Sequence, residues 1–82
     1  MQNFDEFMEV VRKIRKSCPW DKVQTHDSIK GALLEESYEV VDAINKNDLE
    51  GMKEELGDVL LQVVFHGELG DEIKKFNFIS IA

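Results

Sequence analysis

Apolar positions along this chain recur every three or four residues through three long stretches and hardly ever alternate by two, a pattern that reads as helix rather than strand. Phe4, Phe7, Met8, Val11 and Ile14 make the first stripe, which predicts a helix over about residues 4–16. Asn3 is a suitable N-cap, and Glu6 three residues later completes a capping-box-like start. Arg12, Lys13, Arg15 and Lys16 gather where the negative end of the helix dipole favours cations. Pro19 stops that helix, and residues 17–27 read as a polar loop carrying Trp20. Ile29, Leu33, Val40 and Ile44 predict a second helix over about residues 28–45. A short turn follows, with Asp48 placed to cap a third helix over about residues 49–69, striped by Leu49, Met52, Leu56, Leu60 and Val63. Within residues 59–65 only Gln62 is polar, so this half of the third helix is apolar nearly all round. Three helices of one small chain can hardly cover such a surface. The expected fold is therefore all-α, a bundle of three main helices in one domain spanning residues 1–82, completed by dimerisation. After Gly67 and Gly70 the pattern weakens, and residues 76–81 form an apolar tail that could begin a further element.

Composition narrows the class. Eighty-two residues bury a limited core and are marginal alone without a staple or a partner. The single cysteine, Cys18, cannot form an internal disulfide, and with no base nearby it is a poor nucleophile. Residues 1–14 are amphipathic and charged, unlike a secretory signal, and no apolar run approaches the roughly 18 residues that span a membrane. A cytoplasmic, reducing setting is the expectation. The net charge of −7 argues against a nucleic-acid backbone as partner. It would also repel a phosphate ligand, unless bound cations reversed the local field.

Two acid pairs change the picture: Glu36 with Glu39, and Glu55 with Asp58, each spaced i,i+3 inside a helical pattern. On a helical wheel Glu36 falls near the middle of the second helix's apolar stripe, and Glu39 falls at its edge beside Ala32 and Ala43. Asp58 shares a side of the third helix with Leu61 and Phe65, with Glu55 close beside it. Gly57 lies between the second pair, where its helix cost of up to about 1 kcal/mol points to the close approach of another backbone or a ligand. Four carboxylates meeting among packed helices need compensation. A hard cation supplies it, and all-oxygen ligation favours Mg²⁺ or Mn²⁺. A di-iron bundle would want Glu-x-x-His pairs, which these are not. The bland alternative is a solvated acidic face balanced by Lys30, Lys46 and Lys53, and spacing alone leaves the two readings near even.

Residues 18–26 read CPWDKVQTH, residues 34–39 LEESYE and residues 54–66 EELGDVLLQVVFH. In order and spacing they strongly resemble the MazG family of all-α nucleoside triphosphate pyrophosphohydrolases, over about residues 4–78. The resemblance implies hydrolysis of a nucleoside triphosphate to the monophosphate and pyrophosphate, commonly as house-cleaning of non-standard nucleotides. It implies Mg²⁺ held by Glu36, Glu39, Glu55 and Asp58, with Glu35 available for a second metal or for activating water. It also implies a homodimer or a dimer of dimers. Family members usually continue into a fourth helix and a basic segment that grips the triphosphate, and here the chain ends about where that helix would begin. Lys53, Lys74 and Lys75 are the remaining basic candidates, with Lys53 the weak choice for a phosphate contact or else a surface ion pair.

Trp20 is open to two readings, a base-stacking platform or, by preference, an apolar anchor closing its loop. Asp21 and Gln24 either contact nucleotide or satisfy loop amides. His66 reads as a core histidine, His26 as a loop residue and Tyr38 as an outer-face residue at a subunit contact. Two rivals to the hydrolase stand beside it: a non-catalytic nucleotide- and metal-binding regulatory module, and an oligomerisation domain with solvated acids.

Overall fold

The computed structural model describes residues 3–81, and among these all regular structure is helical. The elements are α1 (Phe4–Ser17), α2 (Pro19–Lys22), α3 (His26–Asn45), α4 (Leu49–Glu72) and α5 (Phe78–Ile81). Each long helix opens on a side-chain cap. Asn3 Oδ1 accepts from the Glu6 amide at 3.0 Å, and Asp48 Oδ1 from the Gly51 amide at 3.0 Å. Thr25 and Ser28 form a reciprocal capping box at the start of α3.

α3 and α4 are the principal packed pair, with α4 also touching α1 and α5. The turn between them is short. Asn47 takes a left-handed backbone (φ 55°), which asparagine tolerates better than most residues, and the Asp48 amide returns to the Ala43 carbonyl at 3.0 Å. The two helices therefore run antiparallel, and residues before the turn meet residues after it in reverse order: Glu36 near Glu55, His26 against His66. The buried apolar residues are Val11, Ile29, Ala43, Val64 and Leu69, drawn from α1, α3 and α4.

Several expectations shift. The segment expected as a loop holds α2, a single turn with Pro19 at its first position, where the missing N–H costs nothing. α3 begins at His26, two residues before the expected start, because Thr25 caps it. His26 is thus a helical residue. α4 runs past both Gly67 and Gly70 to Glu72. Those glycines mark contact, not breakage: a Cβ on Gly70 would collide with the Phe76 ring, and one on Gly67 would lie 3.0 Å from the Phe78 backbone nitrogen. The apolar tail folds back on them, and α5 forms within it. At Gly57, where a close approach was expected, a Cβ would meet open space. Leu49, Leu56 and Leu60, expected as a core stripe, are exposed.

Arg15 ties the α2 turn to the rest of the fold. Its Nη1 donates to the carbonyls of Asp21, Lys22 and Gln24 at 2.5, 2.8 and 3.0 Å. Its Nε and Nη2 donate to both carboxylate oxygens of Glu72, at 2.7 and 3.1 Å. This bidentate pair holds the Glu72 carboxyl below its usual range.

Candidate metal centre

Helical spacing puts Glu36 and Glu39 on one face of α3 and Glu55 on the facing side of α4. Each of the three offers a carboxylate oxygen within 4.8 Å of the others. Glu36 and Glu55 are half-buried, and Oε2 of each is buried with no hydrogen-bond partner. An orphaned carboxylate oxygen is costly, and two facing one another are costlier still. Glu39 is exposed. Its carboxyl is raised above the usual range, first by a hydrogen bond with Glu55, then by the Glu55 charge, by burial, and by the charges of Asp58 and Asp42. A raised carboxyl held by another carboxyl marks a site short of positive charge.

The expected lysines do not supply it. Lys30 pairs with Asp27 at 2.5 Å and Lys46 with Asp42 at 2.9 Å. Lys53 is exposed and makes no ion pair among the described residues, so the surface pair considered for it does not form. A metal ion could be held by the three glutamates, whose oxygens suit a hard cation. Two of the sequence candidates stand apart from this group. Asp58 is exposed and reaches the cluster through its charge on Glu39, and Glu35 is exposed on the outer side of α3.

Next to the acids along the same α3–α4 groove lies a cavity of about 180 Å³, lined by Trp20, Asp21, Ile29, Ala32, Gln62 and Phe65 among others. Ala32 is one helical turn from Glu36, and Gln62 one turn from Asp58. The Gln62 Oε1 is buried without a partner. Sequence reading passed over Gln62 as a lone polar residue in an apolar run, and that isolation was the available signal. Trp20 remains 65% exposed at the cavity edge, more open than a loop anchor requires.

Residues 24–82 match the MazG nucleotide pyrophosphohydrolase domain. The chain belongs to this family. Curated relatives agree with the match. The chain is 49% identical to a stretch of the nucleoside triphosphate pyrophosphohydrolase/pyrophosphatase MazG of Thermotoga maritima, over 95% of this chain and 31% of that protein. It is 40% identical to the nucleoside triphosphate pyrophosphohydrolase of Escherichia coli K12, over 99% of this chain and 32% of that protein. An uncharacterized Bacillus subtilis protein, YabN, is 48% identical over 84% of this chain and 14% of its own length. The MazG domain thus spans a third or less of the length of these relatives.

Proposed function

We propose that this MazG domain hydrolyses nucleoside triphosphates to the monophosphate and pyrophosphate, with Mg²⁺ held by Glu36, Glu39, Glu55 and Asp58. Mn²⁺ is the alternative ion for the same oxygens. The observation that carries this reading is the cluster of Glu36, Glu39 and Glu55, with two buried carboxylate oxygens left without partners. Those orphaned oxygens and the raised Glu39 carboxyl fit a divalent ion, which would relieve both. When bound, such an ion neutralises phosphate charge and polarises the phosphorus centre. Phosphoryl chemistry asks mainly for positioning and charge stabilisation, and two packed helices supply rigid positions for the acids.

The chain's own residues take the other roles. Glu35, on the exposed side of the same turn, is the candidate to hold a second ion or accept a proton from the attacking water. Lys53, free of ion pairs among the described residues, is the candidate phosphate contact. The cavity beside the acids, with Trp20 and Phe65 as apolar walls and the Gln62 Oε1 as an acceptor, is suited to a nucleobase. House-cleaning of non-standard nucleotides in the cytoplasm is the role this chemistry would serve. Among the described residues no helix is long and apolar enough to cross a membrane. The assembly is proposed to be a homodimer, alone or paired into a dimer of dimers, because Leu34, Tyr38 and Val41 form an exposed apolar stripe on α3.

The test is pyrophosphate release from a panel of nucleoside triphosphates with and without Mg²⁺. The expected result is Mg²⁺-dependent release that Glu36→Gln abolishes. Mg²⁺-dependent nucleotide binding with no pyrophosphate from any triphosphate would replace the hydrolase by the binding module.

A further inference from the structure

His26, the first residue of α3, and His66 on α4 lie outside the acid cluster and the cavity beside it. Their Nδ1 atoms are 2.6 Å apart, and the rings stack with centroids 4.9 Å apart and planes 11° from parallel. Phe76, from the turn between α4 and α5, leans on the His26 ring at 5.8 Å. A contact between two imidazole nitrogens needs one N–H and one lone pair. The Nε2 of His66 is buried without a partner, so a proton there would be an orphaned donor. The network therefore assigns the His66 proton to Nδ1, donating to the lone pair on His26 Nδ1. One lone pair is then left in the pair, the buried His66 Nε2, and burial together with the neighbouring His26 holds His66 below the ordinary histidine range.

The acidic groups beside the pair already hold cationic partners. Arg15 from α1 and Glu72 from α4 line the wall beside His26 and hold each other at 2.7 Å. Asp27 on α3 itself is paired with Lys30. Gln24 and Thr25 bring no charge, and the turn that carries Phe76 also bears Lys74 and Lys75. Separating the rings would return the buried His66 Nε2 to water, where it can take up a proton.

The start of α3 is coupled to Trp20 by hydrogen bonds. Ser28 Oγ donates to Gln24 Oε1 at 2.7 Å, and Gln24 Nε2 donates to the Trp20 carbonyl at 2.9 Å. We propose that His26 and His66 form a proton-operated latch that pins the start of α3 to α4 and Phe76, closed when the pair is neutral and opened by proton uptake, and that opening shifts Trp20 at the mouth of the neighbouring cavity. The latch stands independently of the catalytic reading.

The test is a pH titration of Trp20 emission, the only tryptophan signal in the chain, alongside the imidazole resonances of the two histidines. The open-to-closed ratio should rise by up to about tenfold per pH unit below about pH 6.5, where a released His66 imidazole takes up its proton. The expected result is a Trp20 transition that coincides with the titration of the His66 resonance, and its loss in His66→Gln. A Trp20 signal that stays unchanged while His66 titrates, or one that moves at a pH unrelated to the His66 resonance, would overturn the latch. The unsubstituted chain decides by itself if the variant does not fold.

Discussion

Glu36, Glu39 and Glu55 are each tolerable alone and unfavourable together, and that makes the cluster testable one residue at a time. Replacing Glu36 by Gln removes one buried charge and leaves a neutral amide of the same shape. Metal-free, Glu36→Gln is expected to melt higher than the parent, by an amount worth about 1 kcal/mol. With Mg²⁺ present the order should reverse, because the parent alone gains from the ion. Melting curves of both chains with Mg²⁺ and with a chelator read this directly, and equal shifts would sink the metal centre. Glu39 gives a pH signature. Its raised carboxyl means that the folded chain holds a proton the unfolded chain releases, so its destabilising charge appears above its folded value and is relieved as pH falls through it. An ion entering the site must displace that proton. Calorimetry in buffers of different ionisation heat should show proton release on Mg²⁺ binding that shrinks as pH rises above the ordinary carboxylate range. Glu36 and Glu39 were legible as neighbours because i,i+3 spacing on a helix fixes them without further knowledge, and Glu55 meets them through the antiparallel pairing of α3 and α4. The weaker place of Asp58 was not, because the wheel gives its direction but not how far the short side chain reaches across the groove. The histidine pair was invisible for a related reason: forty residues separate its members, and only the antiparallel register of α3 and α4 joins them.

At the scale of elements, the sequence places the three long helices to within a few residues, since caps and stripes are local. What it misses depends on distant contacts. The α2 turn stands because one arginine from α1 takes up the carbonyls of Asp21 and Lys22, and that of Gln24 just beyond, and Arg15 looked in the sequence like one of four interchangeable cations. Arg15→Ala should destabilise the chain by about 2–3 kcal/mol, since it strips charged hydrogen bonds from a largely covered side chain. Arg12→Ala should cost under about 1 kcal/mol, because its 3.3 Å pair with Glu68 is half in solvent. Urea denaturation of the two variants makes the comparison, and equal losses would show that Arg15 is no hub. The glycines of α4 divide in the same way. Gly57→Ala meets open space and should gain up to about 1 kcal/mol of helix propensity. Gly70→Ala must displace the Phe76 ring and should lose about 1–2 kcal/mol. In the sequence Gly57 pointed to a close approach and Gly70 to a fading helix, and the path of the returning tail reverses the two.

At the scale of the molecule, the core is too small for the apolar surface the chain carries. Its buried apolar residues are mostly β-branched or small, while Leu34, Tyr38 and Val41 on α3 are 60%, 68% and 52% exposed. Their spacing of four and then three residues lays them along one face, so they make a stripe rather than scattered surface residues. Such a stripe on a chain this short favours pairing with a second copy, as isologous interfaces do, because the same face meets itself. The chain is strongly acidic, with a net charge of −7, so two copies repel each other at low salt, and apolar contact must outweigh that repulsion. Self-association should therefore strengthen with ionic strength as well as with concentration, the opposite of an interface held by ion pairs. Sedimentation at rising protein and salt concentration is expected to show a dimer whose melting temperature climbs with concentration. Val41→Glu puts a charge in the stripe without emptying the core, since Val41 is already half exposed. It should leave a folded monomer whose melting temperature no longer depends on concentration. A parent chain that stays monomeric, with one melting temperature across the whole range, would mean that the stripe is covered by something other than a second copy.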